Sequence, residues 1–113
     1  MKQLLVVGLC LLALLSWGVR ADEAVWIDTR SYAENLVDSI EGDPQIAHDE
    51  IVAGVAALGL APNTTIKLYC RSGGRAGQAM AALQEAGYSQ VGNAGGIDDA
   101  RRARGLPAFS TWE

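Results

Sequence analysis

Short apolar runs alternate with amphipathic stretches along most of this 113-residue chain. β-prone apolar runs predict strands at residues 24–28, 65–70 and 88–93, and a very short one at 45–47. Apolar residues spaced three or four positions apart predict helices at residues 31–38, 48–58, 75–86 and 97–104. Glycine and proline predict turns between them, at residues 41–44 and 94–96. Strands that alternate with helices predict an α/β fold, in which helices cover both faces of a central parallel sheet.

The predicted strand at residues 65–70 ends at Cys70 and should be the middle strand of the sheet. In open parallel sheets, ligands bind at the carboxyl ends of the strands. We therefore expect the functional site of this chain at Cys70 and in the loop that follows it.

Residues 1–21 have the pattern of a secretory signal peptide, which leaves residues 22–113 as one domain. Lys2 precedes an apolar run at residues 4–15, and the small residue Ala21 precedes an acidic segment. The run is short for a membrane span of roughly 20 residues. Cleavage is therefore the favoured interpretation, and an uncleaved anchor is the alternative. Cys10 follows the bulky Leu9, which does not fit a lipoprotein signal, so we interpret it as part of the signal peptide.

The charge of the chain argues against nucleic acid or an anionic membrane surface as its partner. The formal net charge is −4, and it becomes −6 when Lys2 and Arg20 leave with the signal peptide. The chain has one basic cluster, which we interpret as a solvent-exposed helix face: Arg101, Arg102 and Arg104. The sequence predicts no stable membrane association after cleavage.

Cys70 is the cysteine that remains once the signal peptide is removed, so the domain can form no intramolecular disulfide. In an exported protein, a lone thiol indicates either reactivity or deep burial. His48 is the single histidine, and no group of cysteine and histidine has metal-ligand spacing. The sequence therefore predicts neither a metal site nor a cofactor.

The loop after Cys70 has the composition of an anion-binding nest. Gly73 and Gly74 let the backbone curl so that successive N–H groups face inward, at the start of the next predicted helix. Arg71 and Arg75 add two cations nearby. A cysteine in such surroundings has a lowered pKa and is a thiolate nucleophile. The loop therefore predicts chemistry on an oxyanion that offers an electrophilic sulfur, phosphorus or arsenic atom.

The spacing within the loop narrows this chemistry. Four residues separate Cys70 from Arg75, whereas tyrosine phosphatases have five, in a loop wide enough for tetrahedral phosphate. Residues 70–76 resemble the loop of the rhodanese family of sulfurtransferases, which has a cysteine, four residues, an arginine and a small residue. Four other segments are similar to that family: Trp-Ile-Asp-Thr-Arg at 26–30, Ile-Glu-Gly at 40–42, Ile-Ala-His at 46–48 and Asn-Ala-Gly-Gly at 93–96.

The resemblance covers nearly all of residues 24–107 and, with the signal peptide, is greatest to single-domain exported rhodaneses of the phage-shock type. It implies a rhodanese-like fold, a periplasmic or secreted location and no cofactor. It also implies that Cys70 attacks the outer sulfur of thiosulfate, releases sulfite, and passes the sulfur from a persulfide to cyanide or a thiol. Asp28 and Arg30 are implied to form a structural pair. The residues implied to bind the substrate are Arg71, Ser72, Gly73, Gly74, Arg75 and Ala76.

Other functions remain open on the sequence alone. The same thiolate would serve a persulfide carrier that passes sulfur to a partner protein and turns over cyanide slowly. A phosphatase or an arsenate reductase would use the same nucleophile, although the short loop argues against both. A non-catalytic binding module of the family typically lacks the cysteine, so Cys70 argues against that function. A buried structural role for Cys70 is the remaining alternative.

Overall fold

The computed structural model describes residues 23–108, and the predicted signal peptide lies outside them. The strands of this part of the chain are β1 (Val25–Asp28), β2 (Thr65–Cys70) and β3 (Gln90–Gly96). Its α-helices are α1 (Tyr32–Val37), α2 (Ile51–Ala57), α3 (Gly74–Glu85) and α4 (Ile97–Ala103), and a 3₁₀ turn, His48–Glu50, leads into α2. Across residues 23–108, no helix is long and apolar enough to cross a membrane.

The three strands form one parallel sheet in the order β1–β2–β3, so β2 is the middle strand, as predicted. Ile27 of β1 lies opposite Leu68 of β2, which lies opposite Asn93 of β3. The register of β2 and β3 shifts after Leu68, so that Cys70 is paired with Gly96. The predicted parallel α/β sheet is therefore confirmed, and Cys70 lies at its carboxyl edge.

Helices cover both faces of the sheet because the side chains of β2 alternate between two hydrophobic cores. One core contains Leu68 and Cys70 together with buried residues of α2 and α3, which are Ile51, Val55, Ala76, Ala79 and Leu83. The other core lies on the opposite face and contains Tyr69 with Ile40, Ile97 and Ala100. The spacing of apolar residues in the sequence predicts this arrangement, and the two cores confirm it.

Two predictions about local structure are wrong. The turn predicted at residues 94–96 is part of β3, which continues to Gly96. A Cβ on Gly96 would overlap the carbonyl oxygen of Arg71, so this glycine allows a close backbone approach and does not reverse the chain. The strand predicted at residues 45–47 is a single bridge between Gln45 and Asp28.

The prediction of a solvent-exposed basic helix face near the C-terminus is also wrong for two of the three arginines. Arg101 is buried, and its guanidinium binds the carboxylate of Asp38 at 2.5 and 3.0 Å. Arg104 binds the carboxylate of Asp43 at 2.6 and 3.1 Å. Arg102 is exposed, as expected. The buried guanidinium of Arg101 requires a partner, and that of Arg104 is half-buried. The two pairs attach the segment after α1 to the C-terminal end of the fold.

Candidate active site

The loop from Cys70 to Ala76 connects the end of β2 to the first turn of α3. Thr29 fixes the chain just before this loop, because its N–H and its hydroxyl both donate to the carbonyl of Tyr69, at 2.8 and 2.9 Å. Gly73 has a φ of 102°, a left-handed conformation that glycine adopts at little cost. The chain can therefore curl back toward the cysteine before α3 begins.

The sulfur of Cys70 lies inside the curl of this loop, and the residue is 1% exposed. The N–H of Gly73 donates to Sγ at 3.0 Å, and the N–H of Ala76 donates at 3.4 Å. α3 has 12 residues, and its N-terminal end adds the positive end of the helix dipole. Backbone groups, not side chains, therefore form the anion-binding position around the sulfur.

The pKa of the Cys70 thiol lies below its ordinary value. Burial raises this pKa, because a thiolate loses its hydration. Hydrogen bonds to the sulfur lower the pKa by more, and they come from the N–H groups of Ala76, Ser72, Gly73 and Arg75. The sequence predicts the lowered pKa but ascribes it to the Arg71 and Arg75 cations as well as to the helix, whereas the principal lowering comes from these backbone donors.

Arg71, Ser72 and Gly74 form the exposed outer side of the loop. Arg71 also borders a cleft of about 510 Å³, whose other lining residues are Arg30, Glu34, Val37, Asp38, Ile97 and Asp98. Two larger clefts, of about 650 and 800 Å³, include no residue of the loop. Of these three clefts, the smallest is therefore the one that adjoins the cysteine loop.

Arg75 fastens the loop to α1. Its guanidinium donates two hydrogen bonds to the carboxylate of Glu34, at 2.6 and 3.0 Å. Glu34 also caps α1, because its carboxylate accepts hydrogen bonds from the N–H and the hydroxyl of Ser31. The Arg75 guanidinium holds the pKa of the Glu34 carboxyl well below its usual range. The sequence indicates Glu34 as a capping residue but gives no sign of this second role, since Arg75 is 41 positions away.

Glu34→Gln is expected to lower the free energy of unfolding by about 1 kcal/mol at pH 7, because the pair with Arg75 loses its charge. Both side chains are 31% exposed, so solvent screens the interaction. The pKa of Glu34 is depressed in the folded state, so this contribution is complete above the ordinary carboxyl pKa of about 4.3 and decreases as the pH falls below it. Urea unfolding at pH 7 and at pH 3 measures both effects.

The matched control is Glu85→Gln, which removes an exposed carboxylate at the other end of α3. It should leave the unfolding free energy nearly unchanged at both pH values. If the Glu34 variant were as stable as the wild type at pH 7, the ion pair would contribute nothing to the attachment of the loop to α1.

Asp28, the last residue of β1, forms a buried ion pair with Arg30. The Nε of Arg30 donates to both carboxylate oxygens of Asp28, at 3.0 and 3.1 Å, and its Nη2 donates at 2.8 Å. The side-chain amide of Asn35 donates to the same carboxylate at 3.0 Å, and Arg30 also binds the carbonyl of Asp38. The pair joins β1 to α1 and to the segment after it, a position suited to the structural role expected from the sequence.

The parallel α/β fold and the loop of N–H donors around Cys70 together indicate the class to which this protein belongs. A family model described as Rhodanese-like domain matches residues 13–102. The chain belongs to the rhodanese family and is a rhodanese-type enzyme, with sulfur transfer as its general activity.

Individual relatives agree with this assignment. The chain is 39% identical to thiosulfate sulfurtransferase PspE of Escherichia coli (strain K12) over 74 residues, which are 66% of this chain and 71% of PspE. A solved structure, a rhodanese with anions from E. coli, has 35% identity and a TM-score of 0.64 over 68% of this chain and 91% of that one. A rhodanese-like domain of Anabaena sp. Alr3790 has 24% identity and a TM-score of 0.64, over 75% and 97% of the two chains, which shows the shared fold.

Proposed function

We propose that this protein moves a sulfane sulfur from thiosulfate, through a persulfide on Cys70, to cyanide or a small thiol. The observation that carries the proposal is the nest of backbone N–H groups that holds the Cys70 sulfur. Such a nest stabilises the thiolate that sulfur transfer requires. The relative PspE is by name a thiosulfate sulfurtransferase, which supports thiosulfate as the donor.

The reaction has two displacement steps at sulfur. In the first, the Cys70 thiolate attacks the outer sulfur of thiosulfate, the S–S bond of thiosulfate breaks, and sulfite leaves with the bonding electron pair. In the second, the acceptor attacks the outer sulfur of the persulfide, the bond to Sγ breaks, and the Cys70 thiolate is restored. With cyanide as the acceptor, the product is thiocyanate. Neither step consumes an external oxidant or reductant, so the scheme requires no cofactor.

The backbone of the loop stabilises the charge that these steps move. The N–H groups of Gly73 and Ala76 hold the thiolate and remain in place for the persulfide. Ser72 supplies another N–H donor. Gly74 begins α3 in open space, so nothing beside its Cα hinders a substrate.

The two arginines of the loop have different roles in this proposal. Arg71 is exposed beside the 510 Å³ cleft, and within residues 23–108 its guanidinium has no ion-pair partner. Its charge is therefore available to attract thiosulfate and to stabilise departing sulfite. Arg75 is bound to Glu34 and acts by holding the shape of the loop.

A persulfide carrier that passes its sulfur to a protein thiol is the second candidate. The supporting observation is that α1, which binds the loop through Glu34, exposes three large apolar side chains: Tyr32, Leu36 and Val37. A protein bound to α1 would lie beside the cleft that adjoins the cysteine loop. Persulfide formation with only slow transfer to cyanide would favour the carrier.

We further propose that residues 1–21 are a cleaved signal peptide and that residues 22–113 are the domain that acts in the periplasm or outside the cell. The support is the sequence pattern of a basic residue, an apolar run and small residues before an acidic segment. The rhodanese chemistry proposed for Cys70 does not depend on this location.

Steady-state kinetics with thiosulfate and cyanide test the proposed function. Because sulfite leaves before the acceptor reacts, double-reciprocal plots at several fixed cyanide concentrations are expected to be parallel. Sulfite should also be released from thiosulfate and the enzyme alone, in an amount equal to the enzyme present. Intersecting lines, or no sulfite until cyanide is added, would rule out a persulfide intermediate.

A further inference from the structure

Asn93 of β3 contacts the cysteine loop from outside, and neither the sequence nor the proposed mechanism gives it a role. Its Nδ2 donates to the carbonyl oxygen of Gly73 at 2.9 Å. Its Oδ1 accepts from the N–H of Gly95 at 2.9 Å, which fixes the orientation of the amide. The side chain thus links the last residues of β3 to the loop.

Gly73 is the residue of the loop that most needs such a restraint. Its φ of 102° lies in a region that glycine enters and leaves readily, so the backbone preference of glycine does little to hold this conformation. Its N–H donates to Sγ of Cys70, while its carbonyl accepts from Asn93 and from the N–H of Gly77 in α3. Restraint of the carbonyl therefore restrains the residue whose N–H holds the sulfur.

The missing side chain of Gly77 makes room for the Asn93 amide beside α3. A Cβ on Gly77 would lie 3.3 Å from Nδ2 of Asn93, and one on Gly73 would lie 3.8 Å from it. The lack of a side chain at Gly77 therefore lets the amide approach the first turn of α3, whereas the distance at Gly73 is that of an ordinary van der Waals contact. Asn93 itself is exposed, so its contribution is not that of a buried core residue.

We propose that Asn93 is a positioning residue for the Cys70 thiolate. The Asn93 amide holds Gly73 in the conformation that directs the Gly73 N–H at the sulfur. Asn93 touches neither the sulfur nor the reacting atoms, and it acts through Gly73 alone. The inference rests on the proposed function, since it assigns Asn93 a part in preparing the same nucleophile.

Asn93→Ala tests the inference by the pH dependence of Cys70 alkylation with iodoacetamide. Loss of this hydrogen bond predicts that the midpoint of the pH profile moves to higher pH, with alkylation slowed by up to about fivefold on the rising limb of the profile, where the thiolate is the minor species. The kcat/KM for thiosulfate should fall by a similar factor over the same pH range. Alkylation involves no sulfur donor, so it tests Asn93 even if thiosulfate proves not to be the substrate.

Gln90→Ala is the matched control, because it removes an exposed amide from the other end of β3, where Oε1 of Gln90 accepts from the hydroxyl of Thr65. It should leave the pH profile of alkylation unchanged. If Asn93→Ala lowered thermal stability but its alkylation profile coincided with that of the wild type, Asn93 would be only structural and the inference would be wrong. Asn93→Ser, a smaller change that still shortens the side chain, permits the same comparison should the alanine variant not fold.

Discussion

Cys70→Ser is expected to reduce sulfur transfer from thiosulfate to cyanide by at least about a thousandfold. Serine has nearly the shape of cysteine, so the buried site should keep its packing, but a hydroxyl is not ionised near neutral pH and forms no persulfide. The loop would then hold a neutral oxygen where it now stabilises a thiolate. Thiocyanate production at saturating thiosulfate measures the loss.

Cys10→Ser is the control for this substitution, since Cys10 is the other cysteine of the chain. Assayed in the full-length chain, it should keep full activity, because Cys10 lies in the predicted signal peptide and not in the domain that carries the cysteine loop. A Cys70→Ser protein that retained a substantial fraction of the wild-type rate would show that the nucleophile is a different group.

Gly96→Ala is expected to reduce activity by about a hundredfold, although the residue contacts no substrate in the proposed mechanism. Gly96 pairs with Cys70 across the sheet, and a Cβ there would overlap the carbonyl oxygen of Arg71. Because the obstacle is backbone and not a flexible side chain, the first residues of the loop must shift. The kcat/KM for thiosulfate measures the effect, and the free energy of unfolding should fall by about 2 kcal/mol.

Gly92→Ala, on the same strand, separates this effect from the general cost of alanine in β3. A Cβ on Gly92 would lie 3.3 to 3.9 Å from side-chain atoms of Lys67, which can move aside. That variant should keep most of its activity. Equal activities for the two variants would mean that the approach of Gly96 to the loop does not position the catalytic sulfur.

Local patterns were enough to predict the elements that carry the site. The apolar run that ends at Cys70 predicts β2 with the bounds observed, and the stripe that includes Ala76, Ala79 and Leu83 predicts α3 to within one residue at each end. The capping pair of Ser31 and Glu34 is also as predicted. These features depend on residues close in sequence, where periodicity and capping decide the structure.

Contacts between distant segments could not be predicted in the same way. The pair of Glu34 with Arg75 joins residues 41 positions apart, and that of Asp38 with Arg101 joins residues 63 apart. The approach of Gly96 to the loop depends on how two strands lie side by side. Glycine is typical of such close approaches, but it is equally typical of turns, so the pattern at residues 94–96 predicts a turn where the structure has a strand.

Intact-protein mass spectrometry after exposure to thiosulfate examines the Cys70 persulfide itself. The wild-type protein is expected to gain the mass of one sulfur atom and to lose it when cyanide is added, while Cys70→Ser gains nothing. The contrary result is a wild-type protein that gains no sulfur although Cys70 is alkylated readily at neutral pH. In that case the loop would still stabilise a thiolate, but thiosulfate would not be its substrate.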